Sequence, residues 1–164
     1  KLAALATRSM KGMKAACYYG CLLLRPAEIV QFDDAERPSS METLLQSVGV
    51  STIDWNFRTE CCGAAHSIAR TDIVLDLSSR IIEDARLHGA NVIVVACPMC
   101  QSNLDMRQGA MKSRRGVTTD MPILYLSEIL GLAMGIAPDA LGLDQHFVGA
   151  TQLLKTAEAN EVPA

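Results

Sequence analysis

Apolar and polar positions along the chain fall into alternating blocks with two different periods. Met13-Lys14-Ala15-Ala16-Cys17-Tyr18-Tyr19 is a short, mostly apolar run closed by Gly20, the length and boundary of a strand. Ser39-Ser40-Met41-Glu42 has the spacing of a capping box, with Ser39 as N-cap and Glu42 three positions on. It predicts a helix through Leu44 and Leu45 to a stop at Gly49. Ser51 to Trp55 reads as a second short strand. From about Ala65 to His88 the period is helical: Ile73, Leu77, Ile81 and Ala85 form one apolar stripe. Asp76 and Arg80 stand at i and i+4 on another face, where they can pair, and Gly89 supplies the stop. Asn91-Val92-Ile93-Val94-Val95-Ala96 is a β-branched run of the kind buried on both faces of a sheet. Pro98 opens a helix to about Met111, Pro122 to Tyr125 is a further strand, and Ser127 caps a helix ending near Gly135. Beyond it the chain reads as helical or irregular, fraying at its end.

Strands that alternate with helices predict an α/β layered domain with a mainly parallel sheet flanked by helices. A chain of 164 residues suits one domain, placed at 13–150, after an N-terminal connecting segment 1–12 and before a C-terminal tail 151–164. Aromatic residues make up only 4%, so packing must rest on aliphatic side chains and the eight Met. A net charge of −3 offers no electrostatic footprint for nucleic acid, and Lys112-Ser113-Arg114-Arg115 reads as a solvated loop. No apolar run reaches the roughly 18 residues of a membrane span, and no signal peptide is visible. The expected setting is cytoplasmic, with reduced thiols. The chain opens with Lys1 rather than Met, which raises the expectation of a missing N-terminal part.

The six cysteines change the picture most. Cys17 and Cys21 flank the end of the first strand, Cys61-Cys62-Gly63 precedes the long helix, and Cys97-Pro98-Met99-Cys100 lies where the buried strand becomes a helix. These are strand-to-helix junctions, where α/β sheets gather functional residues. Helix N-termini carry unpaired N–H groups and partial positive charge, which favour thiolate and donate to cluster sulfur. Gly63 lets backbone approach closely. Cys-x-x-Cys alone is compatible with zinc, thioredoxin-like and cluster chemistry. Adjacent cysteines form a disulfide only in a strained ring, whereas both thiolates can reach different irons of one cluster. Three readings stand on the residues: an iron–sulfur centre, a structural zinc module using four of the five cysteines, and a dithiol oxidoreductase using Cys97 and Cys100.

The pattern Cys21-(39 residues)-Cys61-Cys62-Gly63-(34 residues)-Cys97-x-x-Cys100 resembles the cysteine-rich CCG domain found in heterodisulfide reductase. Tyr18-Tyr19-Gly20-Cys21-Leu22-Leu23-Leu24-Arg25-Pro26 is similar to the segment around the first motif cysteine in that family's C-terminal copy, and Cys61-Cys62-Gly63-Ala64 and Ala96-Cys97-Pro98-Met99-Cys100 match as well. The resemblance covers roughly residues 13–135. It implies a noncubane [4Fe–4S] cluster held by Cys21, Cys61, Cys62, Cys97 and Cys100, with zinc able to take its place where the cluster is lost. It implies an oxidoreductase acting on disulfide or thiol substrates, working in a complex with iron–sulfur and flavin subunits. In the family, the CCG-bearing polypeptide carries two such domains, with the disulfide cleaved between them. A single copy here implies that a second CCG domain completes the site.

Other residues have plainer expectations. Cys17 falls outside the motif and is read as a buried strand residue. Met99 must line any cluster held by Cys97 and Cys100. His66 is read as a solvent-facing helix-start residue, His88 as a last-turn residue suited to the helix dipole, and His146 as surface or packing. Arg25 and Arg58 are read as salt-bridged surface residues and Trp55 as packing. Asp and Glu show no paired arrangement for acid–base hydrolysis.

Overall fold

The computed structural model describes residues 2–118 and 120–159. Four strands, β1 (Lys14–Tyr18), β2 (Ser51–Thr52), β3 (Val92–Val95) and β4 (Ile123–Tyr125), form one sheet. Every pairing is parallel and the order is β2-β1-β3-β4. The chain leaves β1 towards β2, then crosses back to β3 on the other side. The topological switch point therefore lies between β1 and β3, the place where α/β sheets open a crevice at their carboxyl ends.

Alternation along the strands divides the core in two. Ala15, Cys17, Val92, Val94 and Leu124 face one layer, with Met41 and Leu45 of α2 (Ser40–Ser47) and Ile129 and Leu132 of α6 (Leu126–Ala133). Ala16, Tyr18, Ile93, Val95 and Ile123 face the other, with Leu75, Ile81 and Ile82 of α3 (Thr71–Leu87), Leu104 of α4 (Pro98–Asp105) and Met111 of α5 (Gln108–Arg115). All four residues of β3 have zero exposure, which matches its uninterrupted β-branched run. The remaining helices are the short α1 (Ala27–Val30) and α7 (Thr151–Ala159), which places Leu153 of the expected tail in the first layer. The end expected to fray, 160–164, lies outside the described residues. No helix among the described residues is long and apolar enough to cross a membrane.

Local chemistry departs from the sequence pattern in several places. Ser39 is the N-cap of α2, but no capping box forms. The carboxylate of Asp33 accepts from the N–H groups of Ser39 and Ser40, and the Tyr19 hydroxyl accepts from Met41 N–H while donating to Glu42. Glu42 is engaged from across the layer and cannot turn back to its own helix. The second strand is two residues long, because Trp55 turns inward and its indole N–H donates to Cys17 O at 3.1 Å. The helix expected from Ala65 begins at Thr71, after a separate 3-10 turn at Ala64–His66. Its buried face is Val74, Leu75, Ser78, Ser79, Ile81, Ile82 and Ala85, rotated from the expected stripe because two serines count as inward-facing. Asp76 pairs with Arg115 at 3.4 Å rather than with Arg80, whose guanidinium stacks on Phe57. The helix from Pro98 divides after Asp105. The next one starts at Gln108, whose side chain ties down Asp120 and Met121. Tyr125, not Ser127, is the N-cap of α6, and Glu128 accepts the Tyr125 N–H at 2.7 Å.

Candidate functional site

The segments carrying the motif cysteines meet at the carboxyl end of the sheet, around the switch point. Gly20, two residues beyond the end of β1, turns the chain with φ +64, and Cys21 follows it. The Arg58 carbonyl accepts the N–H groups of Tyr19 and Gly20 at 2.9 and 3.2 Å, which fastens the 55–62 loop to the end of β1. The Tyr18 hydroxyl donates to Glu60 O at 2.7 Å from below. Cys61 and Cys62 therefore sit over β1, while Cys97 and Cys100 come from β3 and the first turn of α4, where Cys97 is the N-cap.

Four sulfurs stand as two pairs. Cys21 Sγ and Cys61 Sγ are 3.8 Å apart near the surface, and Cys62 Sγ and Cys100 Sγ are 3.7 Å apart in the interior. Cys97 lies close enough to Cys100 for their thiols to interact. Cys61 Sγ accepts the Gly63 N–H at 3.3 Å, and Cys62 Sγ accepts from the Asn103 amide at 3.5 Å. Gly20 is required for a further reason: a Cβ there would stand 3.0 Å from Cys100 Sγ. Gly63, at φ +82, is pressed against the Val74 backbone and Leu77, and Ser78 hydroxyl donates to Cys62 O at 3.4 Å. That contact is the local reason why α3 buries a serine.

Electrostatics separate the pairs. The hydrogen bond shared with Cys100 draws the Cys62 thiol down to about 6 against the opposing effect of burial, helped by Asn103 and the Ala64 N–H. Cys100, hydrogen-bonded with Cys62 and largely buried, is pushed up. Burial and the nearby Cys61 raise Cys21. Burial raises Tyr18 far above its usual range, reinforced by Cys100, Cys62, Cys61 and Cys21, so it stays a neutral donor beneath the site.

The five motif cysteines are thus brought to one region, and Cys17 is not: it is fully buried on the opposite layer, as its sequence position suggested. Met99 is partly exposed at the start of α4. His66 is exposed. Arg25 makes a surface pair with Glu36, and Arg58 meets Glu42 and Asp54. His88 binds back to Asp84 in its own helix. His146 is packed, as expected, but within a polar cluster that its lone position in sequence did not reveal. Its side chain is 5% exposed and binds Glu128 at 3.0 Å, with Asp105 at 3.9 Å. Asn103 and Arg107 were also missed. The available signal was that Asn103 falls one turn after Cys100 and shares its helix face.

The donor set suits a thiophilic metal. Two thiolates on one tetrahedral metal, each bonded at about 2.3 Å, stand about 3.8 Å apart. Both sulfur pairs have that spacing, which is also a van der Waals contact for bare thiols. Among the described residues, no three Cys, His, Asp or Glu side chains already converge on a single point as a preformed metal site.

A parallel α/β domain with thiols gathered at its switch point defines a class of cysteine-rich α/β domain. Comparison with known proteins narrows it. The family model described as the CCG cysteine-rich domain matches residues 15–105, and the chain belongs to that family. It is 32% identical over 146 residues to the 8-methylmenaquinol:fumarate reductase membrane anchor subunit of Wolinella succinogenes, covering 89% of this chain and 51% of that protein. It is 31% identical over 144 residues to a ferredoxin:CoB-CoM heterodisulfide reductase subunit of Methanosarcina mazei, covering 87% of this chain and 48% of that one. The chain spans about half the length of the curated relatives it matches. A crystal structure of a hypothetical protein from Helicobacter pylori shares the fold, with TM-score 0.68 and 13% identity over 88% of this chain and 26% of that one.

Proposed function

We propose that this chain is a heterodisulfide-reductase-like CCG domain that holds an iron–sulfur cluster on Cys21, Cys61, Cys62, Cys97 and Cys100 and takes part in disulfide reduction or its reverse. The observation that carries the reading is the meeting of two sulfur pairs, at 3.8 and 3.7 Å, at the switch point of the sheet. The relatives named as heterodisulfide reductase subunits support the reaction class. Five thiolates exceed the four an ordinary cubane takes, which favours a noncubane [4Fe–4S] group. When bound, such a group supplies electrons one at a time to a disulfide, for the balance RSSR′ + 2 e⁻ + 2 H⁺ → RSH + R′SH.

The protein's own contribution is ligation and access. Cys62 and Cys100 anchor from the interior, over Tyr18. Cys21, partly exposed, and Cys61, exposed, leave the outer side open to a sulfur substrate or a second CCG domain. Electrons arrive from iron–sulfur and flavin subunits of a cytoplasmic complex. Anaerobic purification should give brown protein containing iron and sulfide, with a paramagnetic signal on redox titration, and Cys61→Ala should lose most of the iron. Colourless protein from a controlled anaerobic preparation would overturn the reading. Zinc without sulfide, at one per chain, would replace it with a structural zinc module. Metal content unmoved by Cys61→Ala would favour a dithiol acting through Cys97 and Cys100.

A further inference from the structure

Asn103 is almost fully buried, at 1% exposure, one helical turn beyond Cys100. A buried primary amide has one oxygen that accepts and one nitrogen that donates, and either can be turned towards a neighbour. Here Arg107 fixes the choice, because its guanidinium only donates, whereas the Ser67 hydroxyl adapts to either orientation. The amide oxygen accepts from Arg107 Nε at 3.1 Å and from the Ser67 hydroxyl at 3.1 Å. Arg107 is itself anchored, because its Nη2 donates to Ser67 O at 3.0 Å. The nitrogen is left facing Cys62 Sγ at 3.5 Å. Turning the amide over would set its NH₂ against the guanidinium N–H, donor to donor, and would withdraw the amide N–H from the sulfur. Arg107 has no acceptor to offer in that event, since a guanidinium only donates.

We propose that Asn103 is a positioning residue for Cys62, its amide locked by Arg107 and Ser67 so that its N–H is always presented to that sulfur. The proposal rests on the cluster reading for its redox consequence and stands without it for the hydrogen bond. A donor to a ligand sulfur favours the state with more negative charge, so it raises the reduction potential of the metal group. It also holds the inner sulfur in place while the outer pair meets solvent.

Two measurements separate the proposal from the reading it builds on. In cluster-free reduced protein, an Asn103 side-chain amide proton should exchange slowly with solvent by nuclear magnetic resonance, and Cys62→Ala or Arg107→Gln should speed that exchange. An amide unmoved by both substitutions overturns the proposal, whether or not any cluster is present. In loaded protein, Asn103→Leu should disfavour reduction about tenfold, equivalent to about 59 mV more negative for a one-electron couple. Arg107→Gln should move the potential in the same direction by less. Loaded Asn103→Leu with an unchanged potential overturns the redox part. Absence of iron from wild-type protein refutes the cluster reading instead, and leaves the exchange measurement to decide the hydrogen bond.

Discussion

The two sulfur pairs are built from the same kind of residue at nearly the same spacing, yet they occupy opposite environments. Cys62 and Cys100 are 2% and 6% exposed. Around them stand Asn103, Tyr18 and the bare face of Gly20, all of which fix position. Cys21 and Cys61 lie at the rim, where Cys61 Sγ is met by the Gly63 N–H and the Cys21 thiol. The difference teaches a division of labour: the inner pair is part of the core and sets geometry, and the outer pair is free to meet whatever approaches. The strand–helix junction places all of them, but burial decides which sulfur is structural.

Removing a sulfur from each pair gives the largest expected contrast. In cluster-free protein, Cys62→Ala or Cys100→Ala should cost about 1–2 kcal/mol of stability, as buried truncations do. Cys21→Ala or Cys61→Ala should stay within about 0.5 kcal/mol, as surface changes do. Urea unfolding of the four variants measures this directly. Equal losses across all four would erase the distinction between inner and outer pairs.

Glycine substitutions sharpen it. Gly20→Ala places a non-glycine residue at φ +64 and brings its Cβ to 3.0 Å from Cys100 Sγ. Gly49→Ala asks for the same left-handed backbone at φ +85 but meets nothing within 4 Å. The left-handed conformation alone costs about 1–2 kcal/mol. Gly20→Ala should exceed Gly49→Ala in unfolding experiments, and it alone should lower iron retention. Equal losses, with iron retained in both, would mean that Cys100 is not tightly held.

How far these features were legible follows from where their partners lie in sequence. The sheet was legible because β3 is β-branched at each position and both its faces are buried, a local property. The cysteine junctions were legible because Cys21 and Cys97 fall just after runs that could only be strands. The capping box at Ser39 failed because its competitor, the Tyr19 hydroxyl, comes from the far end of another strand. The start of α3 was misplaced because the chain first turns through Gly63 to carry Cys62 inward. Asn103 left a faint local signal in its one-turn offset from Cys100. His146 left none, because its partners Gln101, Asp105 and Glu128 come from two separate helices.

Beneath the inner pair, Tyr18→Phe removes the donor that satisfies Glu60 O while leaving the ring in place. A net loss of about 1 kcal/mol is expected for one neutral hydrogen bond. Because Glu60 precedes Cys61, hydrogen exchange in the 58–62 loop should also quicken. Unchanged stability and exchange would mean that the loop is held by the Arg58 carbonyl contacts alone.

The smallest effect belongs to the polar cluster on the far side of α4, and it is best seen as a slope. The hydrogen bond to Glu128 is the main cause that holds the His146 imidazolium above its ordinary range, opposed by burial and aided by charge on Glu128 and Asp105. The groups facing it are Glu128 from α6, Asp105 and Gln101 from α4, and the Ile123 backbone from β4. A histidine with a raised folded value contributes stability that is fully present below its unfolded value of about 6.5. That contribution is lost as pH rises through the folded value, because the folded protein then releases the proton it had retained. Wild-type stability should therefore decline from about pH 6.5 upward, and His146→Gln should flatten that decline while leaving the two sulfur pairs in register. A decline of the same slope in His146→Gln would assign the pH dependence to a group other than His146, and not to Cys62, whose lowered thiol makes stability rise with pH over that range.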